Sequence, residues 1–438
     1  MGLIGRLASG ADVPVYVVVG SGGRAPGAEV SVLPGVRVVD SPRSASILLV
    51  VGKLTRALIR PASTVHDQMP FPRATVWWPV DSSGEVGDLG GLWPGLVLGR
   101  PGDAKGLRRI FAELVTGARP SDPPLLPDVD PAPWRGLGPY GQGGTGMTGG
   151  VPFGRPLPGR APDPDGLELD QLPLHVGPFF PLFPPGLVLD VALQGDVVRS
   201  ATVGDNPFLG SAGDSPPGPL DTAPFLDALA TPAKVADLEL ARARHHVRWL
   251  GGALRLHGLG ALALRAARLA AALGPGDRSE VETLARRLAR SRSLASATAG
   301  IGVLPGSTED LPPGPVARAA GAAADARSDD PAYQAIGFEP VVGHGGDARA
   351  RMRQRLAEAV QALELGERAG DAVRSPGPAA EGPRGPLRPG TGLPSSALLA
   401  LLPGALAAQE WGDAMTTVVS LDLDVEEAAV GQLAGVGG

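Results

Sequence analysis

The chain has 438 residues, a formal net charge of −6 at pH 7 and no cysteine. The missing thiols exclude disulfides, thiolate nucleophiles, cysteine-ligated zinc or nickel and iron–sulfur clusters held by this chain, and the acidic balance argues against a nucleic-acid binder. Glycine (64) and proline (47) make about a quarter of the sequence and aromatics only 4%, so part of the chain reads as linker and the core as Ala, Val and Leu.

The length suits two or three domains. The start MGLIGRLASGADVP has no apolar core of a signal peptide. No apolar run reaches the roughly 18 residues of a membrane span, and the best candidate, 397–408, contains Pro403 and Gly404. The expectation is a soluble, cytoplasmic chain.

Residues 13–115 read as an alternating α/β unit. Short apolar runs at 15–19, 36–39 and 47–51, each bounded by Gly, Pro or Asp, suit buried parallel strands. A helix follows over 54–66, a strand over 74–78 and another over 95–98, and Asp103 is placed to cap a helix running to about 115. From 117 to 166 the chain turns Gly/Pro-rich and loses periodicity, as a linker or meandering arm would. Beyond it, 187–193 and 196–203 pair as a hairpin around Gln194-Gly195. Residues 238–273 read as two helices broken at Gly251-Gly252 and Gly258/Gly260. Ser279 with Glu282 has capping-box spacing, Asp347 opens a helix carrying Met352, Leu356, Val360 and Leu363, and the Pro/Gly-rich tail from 373 holds a late strand at 416–423.

Gly20-Ser-Gly-Gly-Arg-Ala25 matches G-x-G-x-x-A after a strand, with Asp40 near the place of a ribose-binding acid. Such a site needs a helix opening at the glycines, and the ten residues between Ala25 and Val36 include Pro26, Gly27, Pro34 and Gly35, so no adequate helix is expected. Gly52-Lys53-Leu54-Thr55 lacks the order of a P-loop. His245-His246 and His257 read as surface and groove residues, since i and i+1 neighbours point apart. His66, His175 and His344 read as solvated or capping. Asp67, Glu85, Asp88, Asp190 and Asp196 read as turn or cap carboxylates, with nothing in their spacing to pair them.

The stretch SPRSASILLVVGKLTR (41–56), followed by VHDQMPFPR (65–73), resembles the small iron–sulfur subunit of NADH-quinone oxidoreductase and the small subunit of related membrane-bound nickel–iron hydrogenases. In that family an apolar strand ending in G-x-x-T-R precedes a D-Q-M-P-x-P-K/R turn, and LVLGRPGD (96–103) sits where the family has V-x-G-C-P-P-x-P. The family's C-x-x-C-x-x-E maps onto Gly23, Pro26 and Glu29. The cysteine after the D-Q-M-P turn gives way to Trp77-Trp78-Pro79, and the last one falls at Arg100 or Pro101. The resemblance thus implies a vestigial cluster region (Gly23, Pro26, Glu29, Arg100) stripped of all four thiolates.

The second half resembles the large subunit that pairs with that one in NADH-quinone oxidoreductase, the counterpart of the hydrogenase large subunit. HVGPFFP (175–181) parallels its G-P-Q-H-P turn and 186–203 the hairpin that follows. TAGIGV (298–303), 314–318, 325–327, Tyr333 and 346–351 keep the order of later motifs. The quinone-facing His is replaced, with Phe180 and Phe183 in its region. The H-R-G-x-E helix and the quinone-bonding Tyr have no counterpart in 206–234. His175, Phe179, Phe180 and Phe183 mark the remnant of a quinone cleft.

The resemblance implies a fusion of two parts: an α/β domain with a parallel sheet, hydrogenase small-subunit-like, over 1–116, and an α+β, mainly helical, hydrogenase large-subunit-like domain over 167–438. The Gly/Pro linker at 117–166 joins them. Two function classes stay open. One is a cofactor-less structural or coupling subunit of a membrane-associated NADH-quinone oxidoreductase-type complex. The other is an active quinone-binding oxidoreductase component using redox centres on partner chains. Expected partners are membrane subunits of a complex I-like or antiporter-like assembly, with no nucleic acid. The expected location is peripheral, at the inner face of the cell membrane. No cofactor is expected on this chain, and a quinone is the one candidate ligand. An orphan binder using the cleft is the third reading.

Overall fold

A computed structural model describes residues 10–80, 93–127, 135–136, 150–151, 159–163, 166–209 and 220–429. In the N-terminal part, β1 (Val13–Val19), β2 (Val36–Val38), β3 (Ile47–Val51), β4 (Ala74–Trp78) and β5 (Val97–Leu98) form a parallel sheet in the order β2-β1-β3-β4-β5. Val15 pairs with Ile47, and Ile47 with Ala74. This doubly wound order reverses between β1 and β3, the crevice where open α/β sheets receive ligands.

Strand alternation sorts the sheet's two faces. Ile47, Leu49 and Val51 of β3, with Val76 and Trp78 of β4, pack under α3 (Ala104–Thr116) through Leu107, Ile110, Phe111 and Leu114. Leu48, Val50, Tyr16, Val18 and Trp77 face the other way, into a core shared with the second half of the chain. Asp103 caps α3 by accepting the Gly106 N–H at 2.8 Å, as expected. Helix α2 spans Arg56–Asp67. A short helix, α1 (Arg24–Glu29), also forms where the sequence argued against one. Pro26 sits in its first turn, where a missing N–H removes no intrahelical bond.

Most of the Gly/Pro-rich stretch 117–166 lies outside the described residues, as do Glu85 and Asp88. Its first part is an ordered arm. The Asp122 carboxylate accepts the Thr75 N–H at 2.7 Å, and the Asp67 carboxylate accepts the N–H groups of Leu125 and Leu126 at 2.8–3.1 Å.

The second half opens with an antiparallel sheet. β8 (Leu189–Gln194) and β9 (Val197–Val203) form the expected hairpin, and β7 (Glu168–Val176) and β6 (Arg160–Pro162) extend it in the order β9-β8-β7-β6. β7 carries Pro173, which is tolerated because β6 reaches only Glu168–Asp170 and leaves β7 an edge strand there.

Helices follow. α4 (Val235–Leu256) runs unbroken through Gly251-Gly252, against the expected break. A Cβ on Gly251 would stand 3.3 Å from the Ala263 carbonyl oxygen, so the glycine admits α5 (Gly260–Ala272) at close range instead of ending the helix. The chain turns at Gly258, with φ +69°. α6 (Arg278–Ala289) follows Asp277 rather than being capped by Ser279. α7 (Ala348–Ala369) is capped by Asp347, which accepts the Ala350 N–H at 2.7 Å.

α8 (Pro394–Leu406) and α9 (Trp411–Leu421) complete the bundle. The strand expected over 416–423 is thus mostly helix. Thr416 and Thr417 donate their hydroxyls to the carbonyls four residues back, and the β-branched side chains are buried, so packing overrides strand propensity. Residues 422–429 then return to the N-terminal sheet.

Candidate functional site

The switch-point crevice is filled from within. Gly20 and Ser21 donate their N–H groups to Val51 O and Lys53 O, each at 2.8 Å, binding the turn after β1 to the turn after β3. A Cβ on Gly23 would lie 2.1 Å from Val51 O, and one on Gly52 (φ +87°) 2.4 Å from Ser21 O. These glycines serve the approach of two backbones. The anion-holding groups are engaged by the protein itself: Ser21 Oγ donates to Glu426 at 2.6 Å, and the Gly22 N–H meets both Glu426 carboxylate oxygens at 3.0 Å. Asp40 pairs with Arg255 at 2.5 Å.

The positions read as a vestigial cluster region spread out. Gly23 caps α1, Pro26 lies within it and Glu29 ends it, exposed. Arg100 is exposed beyond β5, three strand spacings from β1, or about 14 Å. Among the described residues no group of three or more His, Asp or Glu converges as a metal site.

A cleft of about 660 Å³ lies between the two halves of the chain. β1, β2 and α1 wall one side and α4 and α5 the other, and the loop carrying Phe179, Phe180 and Phe183 closes one end. Glu29 lines it with those rings. The Tyr16 hydroxyl donates to Phe179 O at 2.6 Å and fixes the loop to β1. Phe179 and Phe183 are buried, while Phe180 is half-buried with its ring 4.9 Å from that of Phe183. His175 lies elsewhere, 65% exposed on the hairpin sheet and 2.7 Å from Asp190.

At one corner of the cleft lies a polar cluster that sequence reasoning missed. His245 is buried rather than superficial. Its Nε2 is 2.6 Å from Asp422 and its Nδ1 3.6 Å from Asp221, too long for a directed bond. Arg24 reaches Asp422 at 3.1 Å, and Arg248 reaches Asp221 at 3.1 Å. Burial would raise the Asp221 carboxyl, but the neighbouring His245 ring and the Arg248 and Arg24 guanidiniums outweigh it and hold the group well below the carboxylate range.

Behind this corner runs a buried ionic network. Arg384 is 2.9 Å from Glu427 and 3.4 Å from Asp424. Arg355 joins Asp422 at 3.1 Å. Arg318 holds Glu358 at 2.8 Å, Glu381 at 2.9 Å and Asp325 at 3.1 Å. Glu239 receives Arg327 and the Tyr333 hydroxyl. His246, expected at the surface, is also buried, with Nε2 3.4 Å from Glu358. Burial lowers its pKa to about 3 against the pull of that carboxylate. His66 is buried too, 2.9 Å from Asp67, and not solvated, whereas His344 is exposed and Asp196 sits exposed at the hairpin turn. Arg/Asp and Arg/Glu pairs distant in sequence carry no local signal, so the network was invisible to spacing arguments.

Residues 275–422, about a third of the chain, match the family model described as "Respiratory-chain NADH dehydrogenase, 49 Kd subunit". This region is therefore like that respiratory subunit, and it holds Arg318, Glu358, Glu381, Arg384 and Asp422. No curated protein matches the chain. Among solved structures, it is similar to a chain from "Structure of the membrane-bound sulfane sulfur reductase (MBS), an archaeal respiratory membrane complex". The two are 18% identical with a TM-score of 0.47, over 59% of this chain and 98% of that one. Among the described residues no helix is long and apolar enough to cross a membrane.

Proposed function

We propose that this chain is a non-electron-carrying member of a complex I-like respiratory assembly, in which a part like the small iron–sulfur subunit is fused to a part like its large counterpart. It would act as a structural or coupling body docked on membrane subunits at the inner face of the cell membrane. The observation that carries this reading is the Glu426 carboxylate seated on Ser21 and Gly22. The resemblance to the small iron–sulfur subunit puts a cluster-binding loop after β1; in this chain that loop has no thiols and is bonded instead to the end of the large-subunit-like part. A hydrogen-bonded carboxylate can hold the two halves in register without a metal centre, and the fused chain keeps the halves at high effective concentration. The expected result of purifying the tagged chain from detergent-solubilised membranes of its host is stoichiometric recovery of channel- or antiporter-like subunits, identified by mass spectrometry. Recovery of the chain alone from the soluble fraction would sink the proposal.

The inter-domain cleft favours a second reading, in which the chain binds a quinone-like molecule and works with redox centres on partner chains. Phe180 and the walls of α4 and α5 supply an apolar lining, and His245 with Arg248 supplies polar groups for a carbonyl head. Gly252 lines the cleft, and a Cβ there meets nothing within 4 Å. Gly252→Trp is expected to abolish labelling by a photoreactive quinone while leaving the fold intact; equal labelling of both proteins would discard this reading.

A further inference from the structure

Trp249 lies on the stripe of α4 that lines the inter-domain cleft, between the polar corner and Gly252. Its ring is fixed in place. The Nε1–H donates to Val419 O at 3.0 Å, and the buried Arg355 guanidinium lies over the ring, 4.9 Å from its centroid. Among the described residues no aromatic ring packs on it, and the indole is half-buried in the cleft lining.

The reason it is bare lies three and four residues further along α4. In a helix each Cα–Cβ bond tilts towards the N-terminus, so side chains at positions 252 and 253 are the ones that would cover the ring at 249. This chain has Gly252 and Ala253 there, both in the cleft wall. Glycine weakens a helix interior relative to alanine, and packing does not require this one. A Cβ on Gly252 would meet no atom within 4 Å, in contrast to Gly251. The space it leaves is a slot beside a flat, immobilised ring. At the slot's other side Arg248 is half-buried, donates to Asp221 at 3.1 Å and has further N–H groups for an oxygen on a ligand's edge.

We infer that Trp249 is the stacking platform of the cleft and holds a planar fused-ring quinone in the slot left by Gly252, with a ring oxygen on Arg248. The inference rests on the quinone-binding reading and adds the residue that selects the ring. Indole is itself two fused rings, so a naphthoquinone overlaps both, whereas a benzoquinone overlaps about one.

The test is a binding titration of the purified full chain with menadione and with methylbenzoquinone, followed by absorption. The chain has no cysteine, so neither quinone is consumed by addition to a thiol. Expected are saturable binding of both and, with menadione, a charge-transfer band at longer wavelength than either ring absorbs alone, the mark of face-to-face contact. Trp249→Leu should remove the band and weaken menadione by about three- to ten-fold, and methylbenzoquinone by less. That substitution also removes the bond to Val419, so Gly252→Leu is the second variant. It keeps the indole and its partners, puts a side chain over the ring and should remove the band as well. Saturable binding without the band, or a band that survives either variant, would overturn the inference and leave the quinone reading in place. Absence of saturable binding of either quinone would end both.

Discussion

Acidification from pH 7 to pH 5 tests whether His246 is held neutral inside the ionic network. The imidazole is fully buried, and burial sets its folded pKa at about 3 against 6.5 for the ordinary group. The unfolded chain takes up a proton near pH 6.5 and the folded chain does not, so the folded state binds fewer protons across the interval. Stability from this group is therefore complete above pH 6.5 and falls as pH drops towards the folded value, by about 1.4 kcal/mol per unit. Between pH 6.5 and 5 the loss is about 2 kcal/mol, and it needs only that the folded pKa lie well below 5. Burial also lowers His66 and His257, with the same sign. It raises Glu427 to about 7, which works the other way between its ordinary 4.5 and that value. Comparison with His246→Gln cancels those contributions. The assay is urea unfolding followed by tryptophan fluorescence, since Trp249 lies one turn along the same helix. The drop in stability from pH 7 to pH 5 should be smaller in the variant by about 2 kcal/mol. Parallel profiles for the two proteins would refute the account of a neutral, desolvated imidazole.

Arg318→Met leaves three buried carboxylates facing a thioether; the expected loss is about 3–5 kcal/mol, read in the same unfolding assay, and a loss below about 1 kcal/mol would show that the network reorganises freely. Tyr16→Phe removes the hydroxyl donated to Phe179 O and should cost about 1 kcal/mol. Faster amide exchange confined to residues 177–183 would mark that bond as the tether of the cleft loop, and unchanged exchange there would not.

The N-terminal sheet was legible because its strands are short apolar runs between Gly, Pro and Asp, and 47–51 and 74–78 are strands to the residue. Asp103 and Asp347 acted as caps because a carboxylate three residues before an N–H needs no tertiary partner. Failures arose where distant contacts decide. Gly251 reads as a breaker until α5 is seen pressing on it, and Thr416–Val419 read as strand until their burial in α9 is seen. His245 and His246 look alike in sequence, yet both are taken inside, the first by Asp422, 177 residues away, and the second by Glu358 on α7. Of the residues the resemblance singled out, Phe179, Phe180 and Phe183 line the cleft while His175 lies away from it, and the polar corner beside the rings had no motif to announce it.

Glu426 bonds Gly22 across 404 residues of chain, which gives the protein an order of assembly during translation. The loop after β1 leaves the ribosome 404 residues before the carboxylate that bonds it. At about 5–20 residues per second, the interval between them is roughly 20–80 s. Through that time the loop after β1 stands without its Glu426 partner, a period in which a chaperone can engage it. Closure by Glu426 then becomes a signal that synthesis has passed the end of the large-subunit-like helices. A transcript truncated before that codon would yield a chain whose first half is folded but unsealed.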